Sequence, residues 1–406
     1  MNQKENRLLV LLLRDEINSE EREEIVNLIN RKPSWDYILS KSIELDLAPI
    51  VYFNLKTLSK NDAKLLELIP HDIVEELKEK YYLNTAKNKH LFEELKRILN
   101  SLNAADIPTI LLKGGALAEL FYQNRGLRRM FDIDILVKEE QLKQSEEIIK
   151  DLGYSPRLEN VCSESHYRNN HHHLQPYQSE DKLVHVDIHH SLIPNSNPHS
   201  IDLARVWSRA DRVVVAGTNT LTLCPEDMLL HLCLHISLAD TFLGMLKGLC
   251  DISEIIKKFK TNFNWDQILN ESKEYRVINY MYYTLWIVRE VLSIEIPDEV
   301  LNHLKRNKST RYIEDKVLKS LISRYIFVAD QSRNFIPLGI IRSFLKNLLL
   351  DTRRKNIFIK FVGSIIEAFN YSVTSKYRGR KLIPIYALLH LVRVFFKYSW
   401  IKFEKR

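Results

Sequence analysis

The stretch Ile110-Leu111-Leu112-Lys113-Gly114-Gly115-Ala116-Leu117 decides how the chain is read, together with Arg128-Arg129-Met130-Phe131-Asp132-Ile133-Asp134-Ile135-Leu136-Val137. An apolar run ends in Gly114-Gly115. After a helix-like segment, a second apolar run carries two carboxylates two positions apart. Side chains at i and i+2 of a strand point to one face. Asp132 and Asp134 are therefore expected to project together, with Ile133, Ile135 and Val137 turned into a core. Two carboxylates side by side repel each other unless a cation lies between them. Hard oxygen ligands near a glycine-rich turn suit Mg²⁺ holding a nucleoside triphosphate.

The order strand, Gly-Gly, helix, strand with Asp-x-Asp resembles the nucleotidyltransferase superfamily that includes DNA polymerase beta and the aminoglycoside nucleotidyltransferases. The longer pattern, Leu112 to Leu117 and then Gly126-Leu127-Arg128 to Val137, resembles one bacterial branch, the uncharacterised nucleotidyltransferase family. The resemblance covers roughly residues 20–300 and is strongest at 110–137. Sixteen residues separate Gly115 from Asp132, which leaves room for a helix over Ala116–Gln123. The turn has no hydroxyl, so phosphate contacts there are expected from backbone N–H groups at the helix N-terminus. Gly114, Gly115 and the adjoining Lys113 are the residues expected to bind the nucleotide.

The superfamily implies a third carboxylate on a neighbouring strand. In Val184-His185-Val186-Asp187-Ile188-His189-His190, the polar His185, Asp187 and His189 alternate with Val184, Val186 and Ile188. Asp187-Ile188-His189 matches the family's Asp/Glu-x-His pattern. The resemblance implies that Asp132, Asp134 and Asp187 are catalytic and hold two Mg²⁺ ions. Asp187 would also take the proton of the acceptor hydroxyl. Taken alone, an Asp-x-Asp fits an exposed strand face and a Gly-Gly fits a plain turn. The order of the elements favours the functional reading.

Other positions are weaker signals. The family implies an Arg near the metal strand and a basic residue on a later helix that reaches the triphosphate. Arg128, after Gly126-Leu127, and Lys247 are the candidates. Lys247 and Asp251 also have the spacing of a surface i, i+4 pair. His231 and His235 share that spacing, but no third zinc ligand is evident, and a packed histidine pair is the preferred reading. His171-His172-His173 reads as a strand or loop near the mouth of the site, on which at most His171 and His173 share a face.

The 406 residues allow several domains. Residues 1–103 read as a helical N-terminal region, 104–222 as the catalytic core, 223–330 as a helical domain and 331–406 as a basic helical C-terminal region. The expected fold class is α+β, a polymerase-beta-like core with a mixed sheet flanked by helical regions. Strands are expected at 109–113, 131–137, 183–189 and 212–216, and helices at 71–103 and 139–152. Ser19 reads as an N-cap; Asn18 with Glu21 has capping-box spacing but lacks the usual Ser/Thr.

Hydrophobic residues make up 45% and charged residues 27%, an ordinary globular balance. Cys162, Cys224, Cys233 and Cys250 include no Cys-x-x-Cys and read as reduced thiols. Leu8–Leu13 is too short for a signal-peptide core, and no clean transmembrane run is present. A cytoplasmic protein is expected, with peripheral attachment to the inner membrane open. The net charge is +7, yet residues 341–406 carry fifteen Lys/Arg against three Asp/Glu. Within 385–403, His390, Arg393 and Lys397 share a helical side. This end is expected to pack on the protein first, to lie on a membrane second and to bind RNA third.

The resulting functional expectation is Mg²⁺-dependent transfer of a nucleoside monophosphate from an NTP, ATP among the donors, with release of pyrophosphate. The acceptor is left open among a sugar, a small metabolite, a protein side chain and an RNA end. Two alternatives stand beside it: a toxin-type nucleotidyltransferase acting on tRNA or protein, and an inactive nucleotide-binding or scaffold module.

Overall fold

The computed structural model describes residues 2–14, 16–60, 63–157, 171–194, 199–239, 242 and 244–305, with six isolated positions between 316 and 327. The basic C-terminal region and Cys162 lie outside the described residues. Two compact units divide the chain. The first joins Met1–Leu232 to Lys247–Arg276, and the second joins Cys233–Leu246 to the chain from Val277.

The first unit opens with helices α1 (Gln3–Leu11), α2 (Ser19–Asn30), α3 (Trp35–Glu44) and α4 (Ala48–Ser59). The N-cap of α2 is Asn18 rather than Ser19. The Asn18 side-chain oxygen accepts from the Glu21 N–H at 2.9 Å, and the Glu21 carboxylate accepts from the Asn18 N–H at 3.1 Å. Asn supplies the same acceptor that Ser would, one residue earlier, and completes a capping box. Ser34 caps α3, its hydroxyl accepting from the Tyr37 N–H at 3.4 Å.

The long expected helix is α5, 34 residues from His71 to Ala104. Its buried stripe runs Asn84, Asn88, Leu91, Leu95, Ile98 and Leu102, at spacings of three and four. Two of these are amides, and both donate to one loop. Asn84 Nδ2 donates to the Gly126 carbonyl at 2.7 Å, and Asn88 Nδ2 donates to the Arg128 carbonyl at 2.7 Å. Buried amides of this kind cost stability unless paired, so α5 and the 125–128 loop are fixed to each other.

A seven-stranded mixed sheet follows the order β3-β4-β5-β2-β1-β7-β6. The strands are β1 (Ile110–Leu111), β2 (Asp132–Leu136), β3 (Ser155–Pro156), β4 (Tyr177–Gln178), β5 (His185–His189), β6 (Asp211–Val215) and β7 (Thr218–Thr222). The expected strand at 109–113 is shorter than its apolar run. Lys113 has φ +38 and starts helix α6 (Lys113–Leu120), so Gly114 and Gly115 belong to the first helical turn. The helix ends at Leu120 rather than Gln123. Strand β7 was not anticipated. It pairs with β6 across Ala216-Gly217, both at positive φ as a tight primed turn requires, and runs parallel beside β1. Helix α7 (Leu142–Asp151) stops one residue short of the expected end, before Gly153 at φ +89.

Strands β2 and β5 are parallel neighbours, and Asp134 stands opposite Asp187 in the register. Ile133, Ile135, Val184, Val186 and Ile188 are fully buried in one cluster with Leu91, Leu95 and Leu99 of α5. One face of the central strands is thus hydrocarbon, and the alternate residues are left to the other face.

In the second unit, α12 (Ile278–Leu292) is followed by α13 (Asp298–Leu304). In sequence, α8 (Leu203–Arg209) lies between β5 and β6, and α9 (Pro225–Leu234), α10 (Leu246–Phe259) and α11 (Trp265–Glu274) lie between β7 and α12. Among the described residues no helix is long and apolar enough to cross a membrane.

Candidate active site

The register of β2 and β5 brings Asp134 and Asp187 to one place, and His189 joins them. Ligand atoms of these three side chains all lie within 4.8 Å of one another, close enough for one metal ion. Two carboxylates and an imidazole suit a divalent cation. Asp132 lies two residues before Asp134 on β2 and is not a member of this group; it acts on it through its charge. His189 ends the Asp187-Ile188-His189 match, but the sequence pattern alone does not make it a ligand.

Two internal cationic or donor groups hold Asp134. Lys113 Nζ lies 3.1 Å from Asp134 Oδ1, and His189 Nε2 lies 2.8 Å from the same oxygen. Burial alone would raise the Asp134 pKa, but Lys113 and the bond with His189 hold it well below the usual range. Burial, then the Asp134 charge, pushes Asp132 up to about 7. The same two causes push Asp187 up to about 7. One acid is therefore firmly ionised, and the other two titrate near neutrality. A bound divalent cation would remove that repulsion.

Lys113 is positioned by strain at the β1–α6 junction. A positive φ is uncommon for a residue with a Cβ. Its backbone neighbour Leu112 donates to the Asp134 carbonyl at 3.0 Å, which pins the junction to β2. No side chain caps α6, so its first N–H groups keep the capacity to bind an anion. The two glycines differ. A Cβ on Gly115 would press on the Leu111 methyls at 3.1 and 3.2 Å and on Leu95 at 3.2 Å, which is a core contact. A Cβ on Gly114 would meet Arg128 Nη1 at 3.1 Å and come within 3.8 Å of the Asp132 carbonyl, on the side of the site.

Arg128 is not a surface cation. Its Nε and Nη2 each donate to Asp251 at 2.8 Å, and the pair is buried. Tyr122 Oη donates to the same carboxylate at 2.8 Å. The i, i+4 spacing of Lys247 and Asp251 makes no ion pair: Asp251 takes Arg128, and Lys247 Nζ reaches Asp46 Oδ2 at 3.3 Å. The i, i+4 rule describes exposed helices, and here tertiary partners on both sides outbid it. Lys247 still acts on Asp132, whose pKa its charge lowers.

The histidine triple packs against the end of β5. His173 bridges to His189, and the His190 N–H donates to the His172 carbonyl at 3.0 Å. The rings of His172 and His173 lie 5.0 and 5.2 Å from that of His189. Burial lowers the pKa of His172 and His173, and lowers that of His189 to about 4. These imidazoles are neutral at pH 7. His231 joins no group of metal ligands among the described residues. Cys224, Cys233 and Cys250 are buried free thiols.

A mixed sheet with adjacent carboxylate-bearing strands, flanked by helices, defines an α+β protein of nucleotidyltransferase type with a carboxylate–histidine group suited to a metal. The chain matches the family described as uncharacterised nucleotidyltransferase over residues 31–293, and it belongs to that family. No curated protein and no solved structure matches it significantly.

Proposed function

We propose that the protein transfers a nucleoside monophosphate from an NTP to an acceptor and releases pyrophosphate, in the manner of polymerase-beta-like enzymes. The observation that carries this reading is the Asp134–Asp187–His189 group on paired parallel strands, beside an uncapped helix N-terminus, in a chain of this family. Asp134, Asp187 and His189 would hold a divalent cation, Mg²⁺ by the oxygen-rich donor set, with Asp132 adding charge for a second. Such cations, when bound, stabilise charge on the attacking and leaving oxygens of an in-line displacement.

The chain's own groups have distinct parts. N–H groups of the first turn of α6 bind phosphate oxygens, with Gly114 packed closely against Arg128 and Met130. Lys113 supplies positive charge next to Asp134. Asp187 would accept the proton of an acceptor hydroxyl. Lys247 carries charge toward the phosphates. Arg128, paired with Asp251, orients the loop that enters β2. The acceptor classes remain a sugar, a metabolite, a protein side chain or an RNA end.

Calorimetry with each NTP, with Mg²⁺ and with EDTA, tests the reading. NTP binding that requires the metal and disappears in Asp134→Asn supports it. Binding unaffected by EDTA and by that substitution would refute it.

A further inference from the structure

Next to the carboxylate group is a second charge cluster drawn from three parts of the first unit. Arg129 Nη1 lies 2.6 Å from Asp46 Oδ1, and Lys247 Nζ lies 3.3 Å from Asp46 Oδ2. Both cations also sit over one ring. The Arg129 guanidinium carbon is 4.5 Å, and Lys247 Nζ 4.6 Å, from the centroid of Phe131. Phe131 directly precedes Asp132 and is 45% exposed. One carboxylate thus offers one oxygen to each of two cations, as a phosphate group does between an Arg and a Lys.

Asp46 comes from the turn between α3 and α4, far away in sequence from the sheet. It holds φ +61, and the turn is closed by the Leu47 N–H donating to the Ser42 carbonyl at 2.7 Å. The turn presents its carboxylate to the two cations. Two cations crowded on one ring repel each other, so their seat needs an anion in the resting protein. The three charged side chains are 18 to 38% exposed, which leaves the seat open to an anion from solution. Ion pairs at that exposure are weak. A polyphosphate, with more charge and more acceptor oxygens, outcompetes a single carboxylate there.

We propose that Asp46 is a placeholder for a phosphate group: a nucleoside triphosphate at the active site displaces it and takes Arg129 and Lys247, with Phe131 as the floor of the seat. This rests on the nucleotidyltransferase reading and adds Arg129, Phe131 and the N-terminal turn to it. It also gives the helical N-terminal region a direct part in substrate affinity.

The test is calorimetry on the full chain with inorganic tripolyphosphate and, separately, with NTP plus Mg²⁺. Asp46→Asn keeps the shape and removes the competing charge, so it is expected to bind tripolyphosphate about fivefold more tightly. Arg129→Gln, in a residue that stays exposed, is expected to bind it more weakly. The thermal stabilisation that tripolyphosphate gives should be larger in Asp46→Asn than in the wild type, a shift that a merely structural Asp46 would not produce. If the wild type binds NTP while Asp46→Asn binds no more tightly, or Arg129→Gln binds unchanged, the placeholder is refuted and the transferase reading stands. If neither protein binds NTP or tripolyphosphate, both fall together. Should Asp46→Asn not fold, Arg129→Gln alone decides.

Discussion

At the scale of single residues, the site is set by charges that the metal-free protein cannot fully accommodate. Asp132 and Asp187 titrate near 7, above the value of about 4 that they have in an unfolded chain. Between those values the native state holds protons that the unfolded state has lost. Stability in the absence of metal should therefore fall as pH rises from about 4 to about 7. Thermal melts in EDTA across this range check the sign. Asp187→Asn should flatten the pH dependence and raise the melting temperature at pH 8, while weakening metal binding. A destabilised Asp187→Asn with an unchanged pH profile would mean that the carboxylates do not repel as the geometry requires. The alternation of Asp132, Asp134 and Asp187 with apolar neighbours made their common face readable from sequence. The place of His189 was not readable as a ligand, because only the β2–β5 register brings it to Asp134. Gly115 also reads differently in three dimensions. Gly115→Val should act by overpacking against Leu95 and Leu111, costing about 1–3 kcal/mol of stability, rather than by blocking phosphate directly.

At the scale of elements, α10 is joined to the β2 entry loop by one buried ion pair. Arg128 and Asp251 are both desolvated, and removing one partner strands the other. Asp251→Ala should cost about 3–5 kcal/mol of stability, read as a shift in denaturant midpoint. A loss below about 1 kcal/mol would show the pair to be solvent-screened. Asn18→Ala removes the α2 capping box and should cost about 1 kcal/mol, without effect on nucleotide binding. Element identity was legible where a period was long, as in α5. It was not legible at Lys113. An apolar run through Leu112 predicts strand until a single left-handed residue turns it into helix. Nor was β7 legible, because Thr218–Thr222 is polar and gains its place from the neighbouring β1 and β6.

At the scale of the molecule, the resting site is neutralised from within. Lys113 stands beside Asp134 where a cation belongs, and Asp46 stands between Arg129 and Lys247 where an anion belongs. On the proposal above, a phosphate that takes Arg129 and Lys247 releases Asp46, while Lys113 stays beside Asp134. The fold class and the carboxylate-bearing strands β2 and β5 followed from residues 110–137 and 184–190, because strand period two is local information. The pairings Arg128–Asp251 and Lys247–Asp46 did not, since they join residues more than 100 positions apart. For the basic C-terminal region, packing, a membrane surface and RNA remain proposals. Deletion of 380–406 separates them: insolubility points to packing, loss of cosedimentation with anionic liposomes to a membrane, and loss of a salt-sensitive gel shift to RNA.

The most direct measurement of the central claim is incubation of the full-length protein with each α-labelled NTP, Mg²⁺ and a cell extract, alongside Asp134→Asn and Asp187→Asn. Label should pass from at least one NTP to an acceptor in the wild type, and both variants should lose the transfer while remaining folded. Transfer that persists in the folded variants, or no transfer and no NTP binding in the wild type with any triphosphate, would contradict the assignment of this site as a nucleotidyltransferase centre.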